Sequence, residues 1–282
     1  MPDSHLQHLV CCMGQPVAGN PTQYMMEMAF ADAGLDWRYL TMEVPPDRLA
    51  DAMSGLRAMN FRGGNFTIPH KTSVIQYLDE LSDAARLMGA VNCVNRVGDK
   101  LVGENTDGKG FVESLRTLVD PVGKKVTLLG AGGAARAIAI ELALSGVVAM
   151  EIINRSVERG EQLAAQVRDN TNTSCEFKQW DGNYEVSEDA DIVINATSIG
   201  LGDAQAQVPV AAESLQSNMI VADVIFNPPE TQFLKMAQER GCSTLDGLGM
   251  LVNQGVIGFR IWTGVEPNAA VMREALEEYL EI

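Results

Sequence analysis

Two side chains in this sequence are placed for proton chemistry. In Asn65-Phe-Thr-Ile-Pro-His-Lys71 the proline opens a helical stretch, so Lys71 falls in its first turn. A cation there is disfavoured by about 0.3–1 kcal/mol, and the same field favours loss of its proton. Such a lysine is either solvated or paired with a carboxylate. In Gly103-Glu-Asn-Thr-Asp-Gly108, Asp107 stands at the start of the next long helix. It either caps that helix, the commonest use of aspartate in such a place, or is left free where Asn105 or Thr106 caps instead. Asn92, after Ala90-Val91, serves as a turn residue or as a hydrogen-bonding contact to a ligand. Spacing alone does not join Lys71 to Asp107; only a fold does.

A second constellation speaks of phosphate. Val126-Thr-Leu-Leu-Gly-Ala-Gly-Gly-Ala-Ala-Arg136 reads as a short buried strand, a glycine turn and the start of an alanine-rich helix running to about Leu144. This is the G-x-G-x-x-G/A pattern of a dinucleotide-binding βαβ unit, with Ala135 in the last place. The missing Cβ at Gly130 permits the tight turn, and its absence at Gly132 lets a pyrophosphate approach the backbone. The helix N-terminus then offers free N–H donors and partial positive charge. The next strand, Val148 to Ile153, ends in Asn154-Arg-Ser-Val-Glu-Arg159. No acid stands at the strand end to bind ribose hydroxyls, as an NAD site asks. Arg155 and Arg159, one turn apart, suit the 2′-phosphate of NADP. Arg159 has a competing use, pairing with Glu158 or Glu161 on a solvated helix.

Composition narrows the class. With 282 residues and 46% apolar content, the chain is long enough for one large or two ordinary domains. A net charge of −16 argues against nucleic acid and anionic membrane as partners. No apolar run is long enough to span a bilayer, and no basic-then-apolar stretch stands at the N-terminus, so neither a membrane span nor a secretion signal is expected. Five cysteines without C-x-x-C spacing read as reduced core thiols of a cytoplasmic protein. Of three histidines, His5 and His8 fall in an N-terminus expected to fray, so no metal site is expected.

These residues need elements to hold them. Leu9 to Met13 reads as a buried strand, and Asn20-Pro21 as an N-cap with proline at N1, opening a helix to about Ala33. Trp37 to Val44 alternates as a strand. Helical spacing runs from Pro46 to Met59, a strand from Phe61 to Ile68, and a helical stretch from Pro69, broken near Leu81-Ser82. Val91 to Val102 reads as a hairpin around Gly98-Asp99. A helix from Gly108 to about Val119 leads to the nucleotide unit. Later strands are expected at 175–177, 192–195, 220–224 and near Ser243, with helices at 230–240, 250–262 and 267–279. The fold class is α/β. A substrate domain (residues 1–106, completed by 246–282) flanks a doubly wound, Rossmann-like nucleotide domain (107–245), and the C-terminal helices return to the first.

Seven motifs stand in order: Asn-x-Thr-x-Pro-x-Lys (65–71), Gly89-Ala-Val-Asn92, Glu104-Asn-Thr-Asp-Gly108, Gly130-Ala-Gly-Gly-Ala134, Asn154-Arg155, Asn195-Ala-Thr-Ser198 and Asp246-Gly-Leu-Gly-Met250. Together they resemble the shikimate dehydrogenase family from Gly14 to the final helices. The resemblance implies reversible, NADP-dependent reduction of 3-dehydroshikimate to shikimate, a step of aromatic amino acid biosynthesis. It implies Lys71 and Asp107 as the catalytic pair, which ketone reduction asks for: hydride delivery develops alkoxide charge that a positioned proton donor must meet. It further implies substrate contacts at Thr67, Asn92 and Gln254. The cofactor would be held by Gly130, Ala131, Gly132, Gly133, Ala134, Asn154, Arg155, Ser156, Arg159, Thr197 and Val224, with Gly247 beside the nicotinamide.

Two departures bear on substrate. The family's Ser-x-Ser or Ser-x-Thr pair, which binds the substrate carboxylate, aligns with Asn20 and Thr22. A tyrosine of the family is replaced by Phe226. Quinate, an aminated shikimate or another cyclic hydroxy acid is the alternative substrate, and a non-catalytic ligand sensor on the same scaffold is the alternative from another class. Apart from the small-molecule substrate no partner is implied, and the chain is expected to be a monomer or a homodimer.

Overall fold

The computed structural model describes residues 6–282. The described residues divide into two compact units, one of residues 6–106 with 254–282 and one of residues 107–253.

The first unit opens with β1 (His8–Gly14), α1 (Thr22–Asp32), β2 (Trp37–Glu43) and α2 (Leu49–Ala58), then β3 (Gly63–Phe66) and α3 (His70–Ser73). It continues with β4 (Glu80–Leu81), α4 (Asp83–Met88), β5 (Cys93–Val97) and β6 (Lys100–Glu104). The sheet order is β2-β1-β3-β5-β6-β4, with β1 parallel to both neighbours and β5 antiparallel to β3 and β6. β1 is buried continuously from Val10 to Gly14 because both its faces are covered, which is why its sequence reads as an unbroken apolar run. Cys11 and Met13 face a cluster with Met53, Leu56, Phe61 and Phe66. On the opposite side Phe30 of α1 stacks on Phe259 at 5.1 Å between ring centroids.

His8, expected to fray with His5, is instead the first residue of β1. It pairs in register with Trp37, its ring lies 4.9 Å from that indole, and its Nδ1 accepts from Arg62 Nε at 3.2 Å. Pairing of the strand extends order one residue further than the apolar run suggests. His5 lies outside the described residues.

The second unit holds α5 (Thr106–Leu115, less its first residue), β7 (Lys125–Leu129), α6 (Gly133–Leu144), β8 (Ala149–Asn154) and α7 (Val157–Asn170). It goes on through β9 (Ser174–Gln179), β10 (Ile192–Asn195), β11 (Ile220–Asp223), α8 (Gln232–Glu239), β12 (Ser243–Leu245) and the first residues of α9 (Gly247–Thr263). The rest of α9 and α10 (Ala269–Leu280) belong to the first unit. Read from one edge, its sheet runs β9-β8-β7-β10-β11-β12, and every pair is parallel. This is the doubly wound order, whose direction reverses between β7 and β10. All five cysteines are buried and free. No helix of the described residues is long and apolar enough to cross a membrane.

Candidate active site

The glycine turn leaves the C-terminal end of β7 at that reversal, where ligands of such sheets bind. Gly130 holds φ +111°, and a Cβ there would lie 2.9 Å from the Ala196 carbonyl, so only glycine fits. Gly132 and Gly133 are exposed, and a side chain at either would meet open space. Their bareness is therefore not demanded by the protein's own packing, which suits a phosphate lying against them. Helix α6 starts at Gly133 with no side-chain cap and no acid in its first turn, leaving its first N–H groups and dipole available to an anion. Ala131 is buried, Ala134 half-buried, and Ala135 packs fully inside.

After β8, the Asn154 amide donates to the Ser156 carbonyl at 2.8 Å, and the Ser156 hydroxyl accepts from the Arg159 N–H at 3.4 Å as the cap of α7. Arg155 and Arg159 are exposed. Among the described residues no carboxylate pairs with either guanidinium, including Glu158 and Glu161. Two unneutralised guanidinium groups beside the glycine turn's strand fit the 2′-phosphate of NADP.

A buried knot holds the loops beyond β10 and β11. Asp223, 1% exposed, accepts from Asn195 Nδ2 (3.0 Å), the Thr231 hydroxyl (2.8 Å) and the Ile225 N–H (3.1 Å). Burial pushes its carboxyl up to about 6, against the pull of those donors. Thr197 donates its hydroxyl to Asn195 Oδ1 at 2.7 Å, and the Val224 N–H donates to the Asn195 carbonyl. Gly247 lies so close to the Val224 and Ile225 carbonyls, 2.5 Å from a Cβ position, that no other residue fits. Thr197, Val224 and Phe226 thus stand on loops tied to one knot, and Gly247, the first residue of α9, packs against it. The knot's central aspartate carries no signal in the sequence, where Asp223 reads as a strand end.

In the first unit Thr67 and Asn92 bond to the C-terminal ends of β1 and β3. The Thr67 N–H donates to the Met13 carbonyl, and the Phe66 N–H to that of Asn92. Asn20 behaves as the expected cap: its Oδ1 accepts from the Thr22 N–H at 2.9 Å, although the regular helix begins one residue later than expected. Its Nδ2 donates to Cys12 Sγ at 3.2 Å. Gln254 and Thr22 are buried, and Asn20, Thr67 and Lys71 are half-buried.

Lys71 lies in the first turn of α3, as expected, and Asp107 is the second residue of α5 and not its cap. The dipeptide Val91-Asn92 anchors the backbone of Lys71 and of Thr106, the residue before Asp107. The Val91 N–H donates to the Lys71 carbonyl at 2.7 Å, and Asn92 Oδ1 accepts from the Thr106 N–H at 2.7 Å. Asn92 Nδ2 adds a bond to the Thr106 hydroxyl at 3.0 Å, so Asn92, 3% exposed, fixes the residue before Asp107. No group of three or more metal-ligating side chains occurs among the described residues.

Known proteins resemble this chain in sequence and fold. Residues 12–94 match the family model of the shikimate dehydrogenase substrate binding domain, 114–228 that of shikimate / quinate 5-dehydrogenase, and 247–277 that of the shikimate 5′-dehydrogenase C-terminal domain. The shikimate dehydrogenase (NADP(+)) of Desulforamulus reducens is 42% identical over 94% of this chain and 93% of its own. A 5-ketofructose reductase of Gluconobacter, solved ligand-free, superposes with a TM-score of 0.96 at 50% identity, covering 98% of this chain and 99% of that one. A shikimate 5-dehydrogenase of Thermus thermophilus, solved with NADP(H) and shikimate, gives 0.85 at 32% identity over 97% of this chain and all (100%) of that one. By sequence and by fold along almost its whole length, this chain belongs to the shikimate dehydrogenase family.

Proposed function

We propose that this protein is an NADP-dependent oxidoreductase that reversibly reduces 3-dehydroshikimate to shikimate, with Lys71 and Asp107 as its catalytic pair. The observation that carries the reading is the common anchoring of residues 71 and 106 on Val91-Asn92. NADPH, when bound, supplies the hydride. Gly130 to Ala134 and the start of α6 hold its pyrophosphate, Arg155 and Arg159 its 2′-phosphate. As the carbonyl oxygen gains charge, the Lys71 ammonium stabilises it. The pair delivers the proton, and the Asp107 carboxylate keeps the lysine oriented.

A second substrate is favoured by one position. The Asn20 amide keeps one N–H and one lone pair after serving Cys12 and Thr22. That donor–acceptor pair matches a hydroxyl; a carboxylate accepts only. Phe226 likewise offers no hydroxyl to a carboxylate. With the 50% identity to a 5-ketofructose reductase, this supports an uncharged ketose as the second reading. Initial rates of NADPH oxidation with 3-dehydroshikimate, 3-dehydroquinate and 5-ketofructose test both. The first reading expects the highest kcat/KM on 3-dehydroshikimate, the second on 5-ketofructose. Failure on every ketone would remove both and favour a sensor.

A further inference from the structure

His70 precedes Lys71 in α3 and is fully buried, an ionisable ring that the hydride chemistry does not use. Its Nε2 lies 2.7 Å from the Val44 carbonyl, and because a carbonyl can only accept, Nε2 carries the proton. The other ring nitrogen, Nδ1, is buried with no hydrogen-bond partner. A buried polar atom left unpaired costs stability. An apolar side chain would fill the space without that cost, so what the ring contributes is its Nε2 proton. The acceptor is itself held: Val44 follows β2, and its N–H donates to the Gly14 carbonyl at 3.0 Å.

Backbone bonds tie the two ends of the segment that carries Lys71. At one end the Thr67 N–H donates to the Met13 carbonyl at 3.0 Å, and the Gln15 N–H to that of Ile68 at 2.9 Å. At the other the Val91 N–H donates to the Lys71 carbonyl at 2.7 Å. A segment fixed at two ends can still roll about the line between them. Helix α3 has only four residues, too few for its own hydrogen bonds to resist that roll. The bond from His70 to Val44 adds a third point, at the end of a different strand. We infer that His70 is a positioning residue for Lys71: by holding α3 to the end of β2, it sets the direction in which the lysine side chain leaves the turn. The inference rests on the reading of Lys71 as catalytic.

The wild type gives the first test. The chain has three histidines, few enough to assign by nitrogen-15 NMR of labelled rings. His70 should carry its proton on Nε2; a proton on Nδ1 alone would remove the tether and the inference with it. Variants give the second test, by steady-state kinetics on the ketone the wild type prefers. A glutamine amide reaches the place of Nε2, whereas leucine fills the space and donates nothing. His70→Gln should keep kcat within about threefold of wild type, and His70→Leu should lower it about 10–100-fold, as a misplaced catalytic group does. The KM for the ketone and the affinity for NADPH should stay within about threefold in both, because neither contact is removed. Unchanged kcat in His70→Leu, or equal losses in the two variants, would overturn the positioning role. If His70→Leu does not fold, His70→Asn takes its place, since that amide reaches only as far as Nδ1. Failure of both to fold would make the ring part of the core and sink the inference. If the wild type reduces no ketone, the proposed function falls, and amide hydrogen exchange at Val91 still decides for His70. Protection there should drop at least about tenfold in His70→Leu and persist in His70→Gln; unchanged protection in His70→Leu would contradict the tether.

Discussion

Charge at three residues gives the account its tests at the residue scale. Arg155 and Arg159 stand exposed and unpaired in a chain of net charge −16, an arrangement that makes sense for an anion between them. Arg155→Ala should weaken NADPH binding by roughly 10–100-fold, the worth of a charge-assisted hydrogen bond, and NADH binding by less than threefold. Fluorescence titration with each nucleotide reads this directly, and equal losses would contradict the assignment. Asp223 carries the opposite problem, a carboxylate in a dry place. Its pKa is raised from 3.8 to about 6, so the folded chain holds the proton after the unfolded chain has released it. Its ionisation therefore opposes folding: the stabilising difference is whole below about pH 4 and lost as pH rises to about 6. Asp223→Asn retains the Oδ1 acceptor. Relative to wild type, the variant should gain up to about 3 kcal/mol between pH 4 and 6 and nothing further above. Denaturant unfolding across that range checks the sign. Lys71, Arg155 and Gly132 are legible in the sequence because their types are rare in such places. The roles of His70 and Asp223 are not, because Val44 and Asn195, their partners, lie 26 and 28 residues away in sequence and only the fold brings them near.

Elements with a strong period are the legible ones. β7 and α6 follow from an apolar run, a glycine turn and an alanine-rich helix, and the observed bounds differ from the expected ones by a residue. The hairpin of β5 and β6 follows from Gly98-Asp99. The stretch after Pro69 reads in sequence only as helical and broken. It resolves into α3, a 3-10 turn, the two-residue β4 and α4, pieces too short to show a period. What stops it is the register of β4 with Val102 and Gly103, a tertiary fact. At this scale the sharpest test is the turn itself. Gly130→Ala must adopt a positive φ and press its methyl on the Ala196 carbonyl. It should cost about 1–3 kcal/mol of stability and weaken NADPH and NADH alike, unlike Arg155→Ala. A fully stable variant with native affinity would show that the β7–α6 turn tolerates what its geometry forbids.

Over the whole molecule, the alternation of strands and helices suffices for two α/β units with a chain that returns to the first. The point of return does not follow from sequence, because α9 runs unbroken through it from Gly247 to Thr263. Family membership comes from motif order, each motif weak alone and together spanning both units. The proposed catalytic pair is Lys71, which the first unit carries, and Asp107, which opens the second. The most direct test follows reduced-nicotinamide absorbance with NADPH and the preferred ketone, for wild type and Lys71→Ala side by side. The expected result is steady consumption by wild type and a loss of at least about 1,000-fold in kcat for the variant, with NADPH affinity within twofold. Turnover by Lys71→Ala within tenfold of wild type would contradict the account.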